Sequence, residues 1–441
     1  MPVDQSVTPF LQNRQVHRAV LKNGMVVLAV ENPAADIIAA RIFIRAGSIW
    51  ERPEQAGLSH LVASVLTKGT EQLSSLEIAE RVESVGAGLS ADAASDYFLM
   101  SLKTVSSDFV EMLELAGQLL RSPTFPEPEV ELERRLTLQS IRSQQEQPFA
   151  VAMEQLRQAM YQDHPYALPA IGTTASVSQL HRSDLQQYHQ THFRPNNIVI
   201  SLVGRIPPEA AIACVEKVFG DWQATAEPIP ALTLPVVPVE PQRLVTAQET
   251  QQSIIMLGYL APAAKSQAST EEDAQDYIAL KLLSTYLGNG LSSRLFVELR
   301  EKRGLAYEVS AFYPTRLGQS QFVTYMGTAP DNTATALEGL QYEVQRLCDA
   351  PLSEPELQTA KNKLLGQYAL GKQTNSQIAQ VLGWYETLGL GIEFDAQFQQ
   401  AIASVTPESA QQAACRHFTQ PYVSLVGPAA AVNAIAVPVP L

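Results

Sequence analysis

The sequence predicts an α+β protein made of two duplicated α/β-sandwich domains, each a mixed, mostly antiparallel sheet covered by helices. Three observations lead to this. Strand-like and helix-like stretches recur along the chain without strict alternation, which suits helices layered on a sheet better than a doubly wound parallel fold. Residues 223–242, QATAEPIPALTLPVVPVEPQ, hold five prolines and little charge. Chain of that composition is extended and semi-rigid, so it reads as a linker between residues 1–222 and 243–441. The ends of the two halves also repeat each other. VSQLHRSDLQQYHQTHF precedes SLVG at 201–204, and SVTPESAQQAACRHF precedes SLVG at 424–427. A capped helix ending in His-Phe, a short gap and a buried strand thus occur twice in one order, as duplication requires.

The elements follow from their periods. In the first half MVVLAVE, IIAARIFIRAG and FLMSLKTV read as strands. Helical spacing covers 55–67, 75–85, 108–120 and 129–144. In the second half SIIMLGYL, AYEVSAFY and SQFVTYMGT read as strands, and 271–287, 333–348 and 354–371 as helices. Lys281, Lys361 and Lys363 fall where solvated helix faces are expected. Cys214 and Cys415 sit in helical patterns as small core residues, and His164 in HPYALP reads as a structural loop residue.

Composition narrows the function. Of 441 residues, 46% are hydrophobic and 17% charged, enough apolar content for a large core. Lys and Arg total 31 against 45 Asp and Glu, a net charge of −14. That balance, with no basic cluster, argues against nucleic acid and anionic membranes as partners. Three dispersed cysteines are neither a disulfide framework nor a metal motif, and fit a reducing, cytoplasmic setting. The N-terminal residues carry no secretory pattern, and no stretch approaches the ~20 apolar residues of a membrane span. The C-terminal PAAAVNAIAVPVPL is a last packed element or a loose tail. No nucleotide-binding glycine motif follows a strand.

Two segments carry chemistry. In GLSHLVASVLTKGT, Leu58, Leu61, Val62, Val65 and Leu66 form one helical stripe. His60 and Ser64 lie one turn apart, off that stripe. Taken alone, such a histidine is an ordinary solvated or hydrogen-bonded residue. In GNGLSSRLFVELREKRGLAYEVSAFY, Leu291, Leu295, Phe296 and Leu299 mark a helix face, and Gly304 supplies the stop. A strand follows in which Leu305, Tyr307, Val309, Ala311 and Tyr313 alternate. On residue type alone, Tyr307 is a half-buried strand tyrosine and Arg300 a favourable cation at a helix C-terminus.

Together with KNGMVVLAVE, RAGSIWERPEQAGLSHL, HPYALPAIGT and HFRPNNIVISLVG, these segments resemble the pitrilysin/insulinase-like metallopeptidases, mitochondrial-processing-peptidase-like, over residues 15–430. Catalytic members carry H-x-x-E-H on the first of these helices: two zinc-binding histidines and a general-base Glu, with a further ligand downstream. Here the resemblance puts His60 at the first ligand, Ala63 at the base, Ser64 at the second ligand and Ser140 at the third. It therefore implies no zinc in this chain. It also implies that Arg300 and Tyr307 face substrate held by a zinc-binding half, and that Ser90, Ala91 and Asp92 lie on a substrate-pairing edge strand. The expected function is a non-catalytic subunit of a heterodimeric peptidase. A homologous partner would carry H-x-x-E-H and the zinc, and the substrate would be unfolded peptide. Self-association as a homodimer, or an inert scaffold or peptide-binding protein of the same fold, are the alternatives.

Overall fold

The computed structural model describes residues 15–224, 227–264, 270–433 and 435. It contains two compact units, each built on one sheet. Strands of the first are β1 (His17–Val20), β2 (Val26–Glu31), β3 (Ile37–Ile44), β4 (Gly88–Ala93), β5 (Phe98–Val105) and β6 (Ile198–Gly204). Those of the second are β7 (Arg243–Ala247), β8 (Ser253–Ala261), β9 (Glu308–Phe312), β10 (Ser320–Thr328) and β11 (Tyr422–Gly427).

The sheet orders are β1-β2-β6-β3-β5-β4 and β7-β11-β8-β10-β9. Without β1, the first order maps strand for strand onto the second. Directions map as well: β2 with β6 and β7 with β11 are the parallel pairs, and the other matched pairs are antiparallel. The two SLVG segments occupy β6 and β11, interior strands that are buried throughout. Each is preceded by the expected helix, Arg182–His192 and Pro407–His417, and each helix runs into Phe193 or Phe418. The sheets are mixed and mostly antiparallel, as expected, and β-branched and aromatic residues fill them.

Helix bounds agree with the periodicity to within a few residues: Leu58–Val65, Ser75–Ser84, Phe109–Arg121, Glu127–Gln145, Glu271–Gly288, Thr333–Asp349 and Glu354–Leu370. Residues 227–242 contain no helix or strand. To the two halves the tertiary structure adds an exchange. The first unit takes Tyr368–Ala396 from the second half, and the second takes Gln139–Pro169 from the first. Each exchanged piece holds a helix that the periodicity does not single out.

In the first unit the Asn375–Thr387 helix lies on β3 and β6. Ile378, Ala379 and Leu382 pack with Val26, Leu28, Phe43, Leu99 and Val203 in a buried core cluster. Gly383 permits the approach, since a Cβ there would fall 2.4 Å from the Phe43 ring. In the second unit the Pro148–Tyr161 helix lies on β8 and β11. Here the strand supplies the glycine: a Cβ on Gly258 would fall 2.5 Å from Met160 Sδ. Both helices are apolar on more than one side, so a single-stripe pattern does not reveal them. No helix among the described residues is long and apolar enough to cross a membrane.

Candidate functional site

The first candidate site is the Leu58–Val65 helix of the first unit. Its stripe of Leu58, Leu61, Val62 and Val65 is buried. The chain enters through Gly57 with φ 91°, where a Cβ would meet Ile171 O at 2.6 Å. The first turn has no side-chain cap at the N-cap position. Glu51, six residues upstream and buried, does that work instead. Its carboxylate accepts the Gly57 N–H at 2.8 Å and the Ser59 N–H at 2.6 Å.

Burial pushes the Glu51 carboxyl up to about 7, with the Ser59 and Gly57 hydrogen bonds opposing. Between the ordinary value of 4.5 and 7 the folded chain holds a proton that the unfolded chain has released. Stability from this group is therefore complete below 4.5 and is lost as pH rises through 7. The change amounts to roughly 3 kcal/mol. In urea unfolding the stability difference between the native chain and Glu51→Gln is expected to fall by about that amount from pH 5 to pH 7.5. The difference isolates Glu51 from His164, His189 and His192, which burial pushes down to about 4 and whose contribution rises with pH in both chains.

His60 is half-buried, and burial lowers its pKa while the charges of Glu133 and Asp92 work in the opposite direction. The imidazole is thus neutral at pH 7. Ala63 is buried and offers no donor atom. The Ser64 hydroxyl donates back to His60 O at 3.0 Å, so helix backbone already engages it. Ser140 lies exposed on the Glu127–Gln145 helix. These positions do not make a zinc site, which needs three protein ligands or more. Among the described residues no three His, Cys, Asp or Glu side chains are grouped to hold a metal.

Glu133, which the zinc-motif spacing does not single out, also acts on His60. It lies seven residues before Ser140, hence on the same helix face, and pairs with Lys68 at 3.3 Å. The i, i+7 spacing was the available signal. Ser90, Ala91 and Asp92 lie on β4, the edge strand of the first sheet, which pairs only with β5. Exposure alternates along β4, with Ser90 and Asp92 on its open side.

The second candidate site belongs to the second unit. The expected helix is wound more widely than an α-helix: Phe296–Lys302 is a π-helix, a form that recurs at functional sites. Leu295 and Leu299 are buried beneath it. Leu291 is not part of that face; it lies in the preceding turn, 76% exposed. Arg294 ties the segment down through Glu298 at 3.0 Å and Glu343 at 2.8 Å. Gly304 ends it with φ 63°, its N–H donating to Arg300 O at 3.1 Å, while the Leu305 N–H donates to Leu299 O at 2.8 Å.

That turn aims the next residues into β9, but Tyr307 falls one residue before the strand begins. Leu305, Val309, Ala311 and Tyr313 are buried, whereas Tyr307 is 64% exposed. Tyr307 is therefore not a half-buried strand tyrosine. Its N–H still donates to Gly327 O at 2.9 Å, which anchors the backbone and leaves the phenol outside. Arg300 is exposed, with its guanidinium carbon 4.8 Å from the Phe296 ring centre. Among the described residues no carboxylate pairs with it.

Other candidates resolve as structural. His164 Nδ1 accepts the Tyr166 N–H at 3.0 Å, and burial pushes its pKa down to about 4, aided by the Arg316 charge. Lys281 is not on a solvated face. Its Nζ donates to Tyr313 O at 2.5 Å and lies 4.9 Å and 5.3 Å from the ring centres of Tyr313 and Tyr277. Burial takes its pKa down to about 7. Lys361 and Lys363 are spent on backbone oxygens, of Ala403 and Asn289. Cys415 is exposed rather than a core residue.

Comparison with known proteins agrees with this architecture. The profile described as insulinase (peptidase family M16) matches residues 26–174, and that of the peptidase M16 inactive domain matches residues 179–364. The chain is 27% identical over 380 residues to an uncharacterized zinc protease of Bacillus subtilis, YmxG, covering 85% of this chain and 90% of that one. It is 26% identical over 423 residues to an uncharacterized zinc protease of Streptomyces coelicolor, covering 94% and 90%. The crystal structure of a peptidase M16 inactive domain from Pseudomonas fluorescens superposes with TM-score 0.86 at 24% identity, over 94% of this chain and 98% of that one. A protease from Helicobacter pylori does so with TM-score 0.87 at 21% identity, over 94% and 99%.

Proposed function

Because the chain belongs to the insulinase family of M16 peptidases yet lacks that family's zinc motif, we propose that it is the non-catalytic subunit of a heterodimeric, processing-peptidase-like metallopeptidase. One observation carries the reading. The metal positions hold His60, Ala63, Ser64 and Ser140, while Arg300 and Tyr307 are present and both exposed. A chain that had simply lost its activity would have no chemical reason to keep one set and not the other.

In this reading a homologous partner carries the intact H-x-x-E-H and the zinc, and this chain closes half of the peptide-holding chamber. Its own residues bind and orient. The Arg300 guanidinium and the Tyr307 phenol donate hydrogen bonds to the carbonyl of an unfolded peptide and to the oxyanion that develops on it. An extended peptide pairs with the open edge of β4 at Ser90, Ala91 and Asp92, gaining backbone hydrogen bonds irrespective of sequence. The three free cysteines of this chain support a reducing, cytoplasmic setting in this reading.

The second reading, an inert scaffold or peptide-binding protein, is favoured by β4 itself, because an open edge binds peptide without any metal. Peptide cleavage by the purified chain, alone and mixed with a relative bearing H-x-x-E-H, separates the two when zinc is counted in both samples. Activity in the mixture alone, with zinc on the relative, is expected. A complex that forms without activity supports the scaffold. Zinc and activity in the single chain, or as a homodimer, would overturn both.

A further inference from the structure

We propose that Arg157 and Arg316, both in the second unit, form a binding site for an oxyanion, a carboxylate or a phosphate. Arg157 lies on the Pro148–Tyr161 helix, and Arg316 in the connection between β9 and β10. The two guanidinium groups converge on one short stretch of chain. Arg157 Nε donates to Ala167 O at 3.2 Å. The Arg316 guanidinium carbon stacks 4.4 Å from the ring centre of Tyr166. The Gly318 N–H donates to the Tyr166 hydroxyl at 3.1 Å, which holds the Arg316 connection against the same ring.

Two cations are thereby brought together without a counter-charge in contact. Among the described residues neither arginine makes an ion pair, although acidic residues outnumber basic ones by 45 to 31. Glu154, one turn before Arg157, attracts it from a distance, and its Oε1 accepts the Gln158 amide at 3.1 Å. The Arg316 Nε is buried with no hydrogen-bond partner among the described residues. Burial lowers the Arg157 pKa, Glu154 opposes, and the Arg316 charge adds to the lowering. Tyr161 opposes the lowering as well, and His164, beside Arg316, is neutral and relieves none of this.

Like charges held together in a partly desolvated place are unfavourable unless an anion joins them. The arginine fork is the side chain best shaped to receive one, since paired N–H donors match carboxylate and phosphate oxygens. Both side chains are half-buried rather than enclosed, so an anion reaches them from solvent. The carboxylate source would be the C-terminus of a peptide; the phosphate source would be a free ion.

Calorimetric titration of the full chain at constant ionic strength tests this with three probes: inorganic phosphate, N-acetyl-trialanine as the free acid, and its C-terminal amide. One-to-one binding of the acid with at least tenfold weaker binding of the amide identifies a peptide terminus. Binding of phosphate alone identifies a free ion. In either case Arg157→Met and Arg316→Met are each expected to weaken binding at least tenfold. Arg316→Lys, which keeps the charge but loses the fork and the stacking, should weaken it less and serves if a methionine variant does not fold. No binding of any probe at millimolar concentration, or equal affinity in the variants, overturns the site. The assay needs neither partner nor turnover, so it fails or succeeds separately from the subunit reading.

Discussion

Arg300→Ala in the reconstituted complex is expected to lower kcat by ~10²–10³, the usual consequence of removing one donor to a developing oxyanion. Tyr307→Phe should act in the same direction by deleting a single hydroxyl. Neither change should disturb the fold. Both residues are exposed, and the support of the segment comes from the buried Leu295 and Leu299 and from the Arg294–Glu343 ion pair. Exposed substitutions of this kind stay within about 0.5 kcal/mol. Zinc in the partner should also be unchanged. A loss of kcat with intact melting temperature and intact zinc content would locate the defect in chemistry. Full activity in both variants would remove Arg300 and Tyr307 from the reaction and overturn their assignment to the partner's active site.

The second large effect is a gain. Ala63→Glu, Ser64→His and Ser140→Glu together are expected to take the chain from no bound zinc to one per chain, counted by elemental analysis after zinc loading and dialysis. His60 is already suited to the role, because burial keeps its imidazole neutral. A histidine at 64 lies one helical turn away, the spacing that places two imidazoles on one metal. It removes only the Ser64 bond to His60 O, an interaction that contributes little to the helix. Position 140 is exposed and accepts a longer side chain. Ala63 is buried, so the new Glu needs the metal-bound water or a shift of its neighbours, and Ser64→His with Ser140→Glu alone should already bind zinc more weakly. A folded triple variant without zinc would mean that these positions are not a degenerate metal site.

Much of this protein could be read before any coordinates. The paired SLVG segments, the helices ahead of them and the strand periods specify two copies of one sheet, because period-2 and period-3.6 patterns are local properties. Gly304 as a stop follows from its own freedom at positive φ. The missing base at 63 and the missing ligands at 64 and 140 are a matter of residue type and need no geometry.

Other features depended on what packs against what. Lys281 has the sequence context of a solvated lysine, but Tyr277 one turn before it and Tyr313 arriving from the following strand region enclose it. Tyr307 continues an alternating pattern, yet the strand starts one residue later and leaves it outside. Glu133 reaches the neighbourhood of His60 from 73 residues away in sequence. Glu51 caps a helix that it does not adjoin. The Pro148–Tyr161 and Asn375–Thr387 helices, apolar on several sides, cover the sheet of the opposite half. By itself, then, the sequence determined the repeated sheet, the family frame and the loss of the motif's residues at 63, 64 and 140. The tertiary structure alone decided which helix covers which sheet, which side chains are exposed and which charges meet. Periodicity marks an apolar face, but only long-range packing selects the surface that buries it.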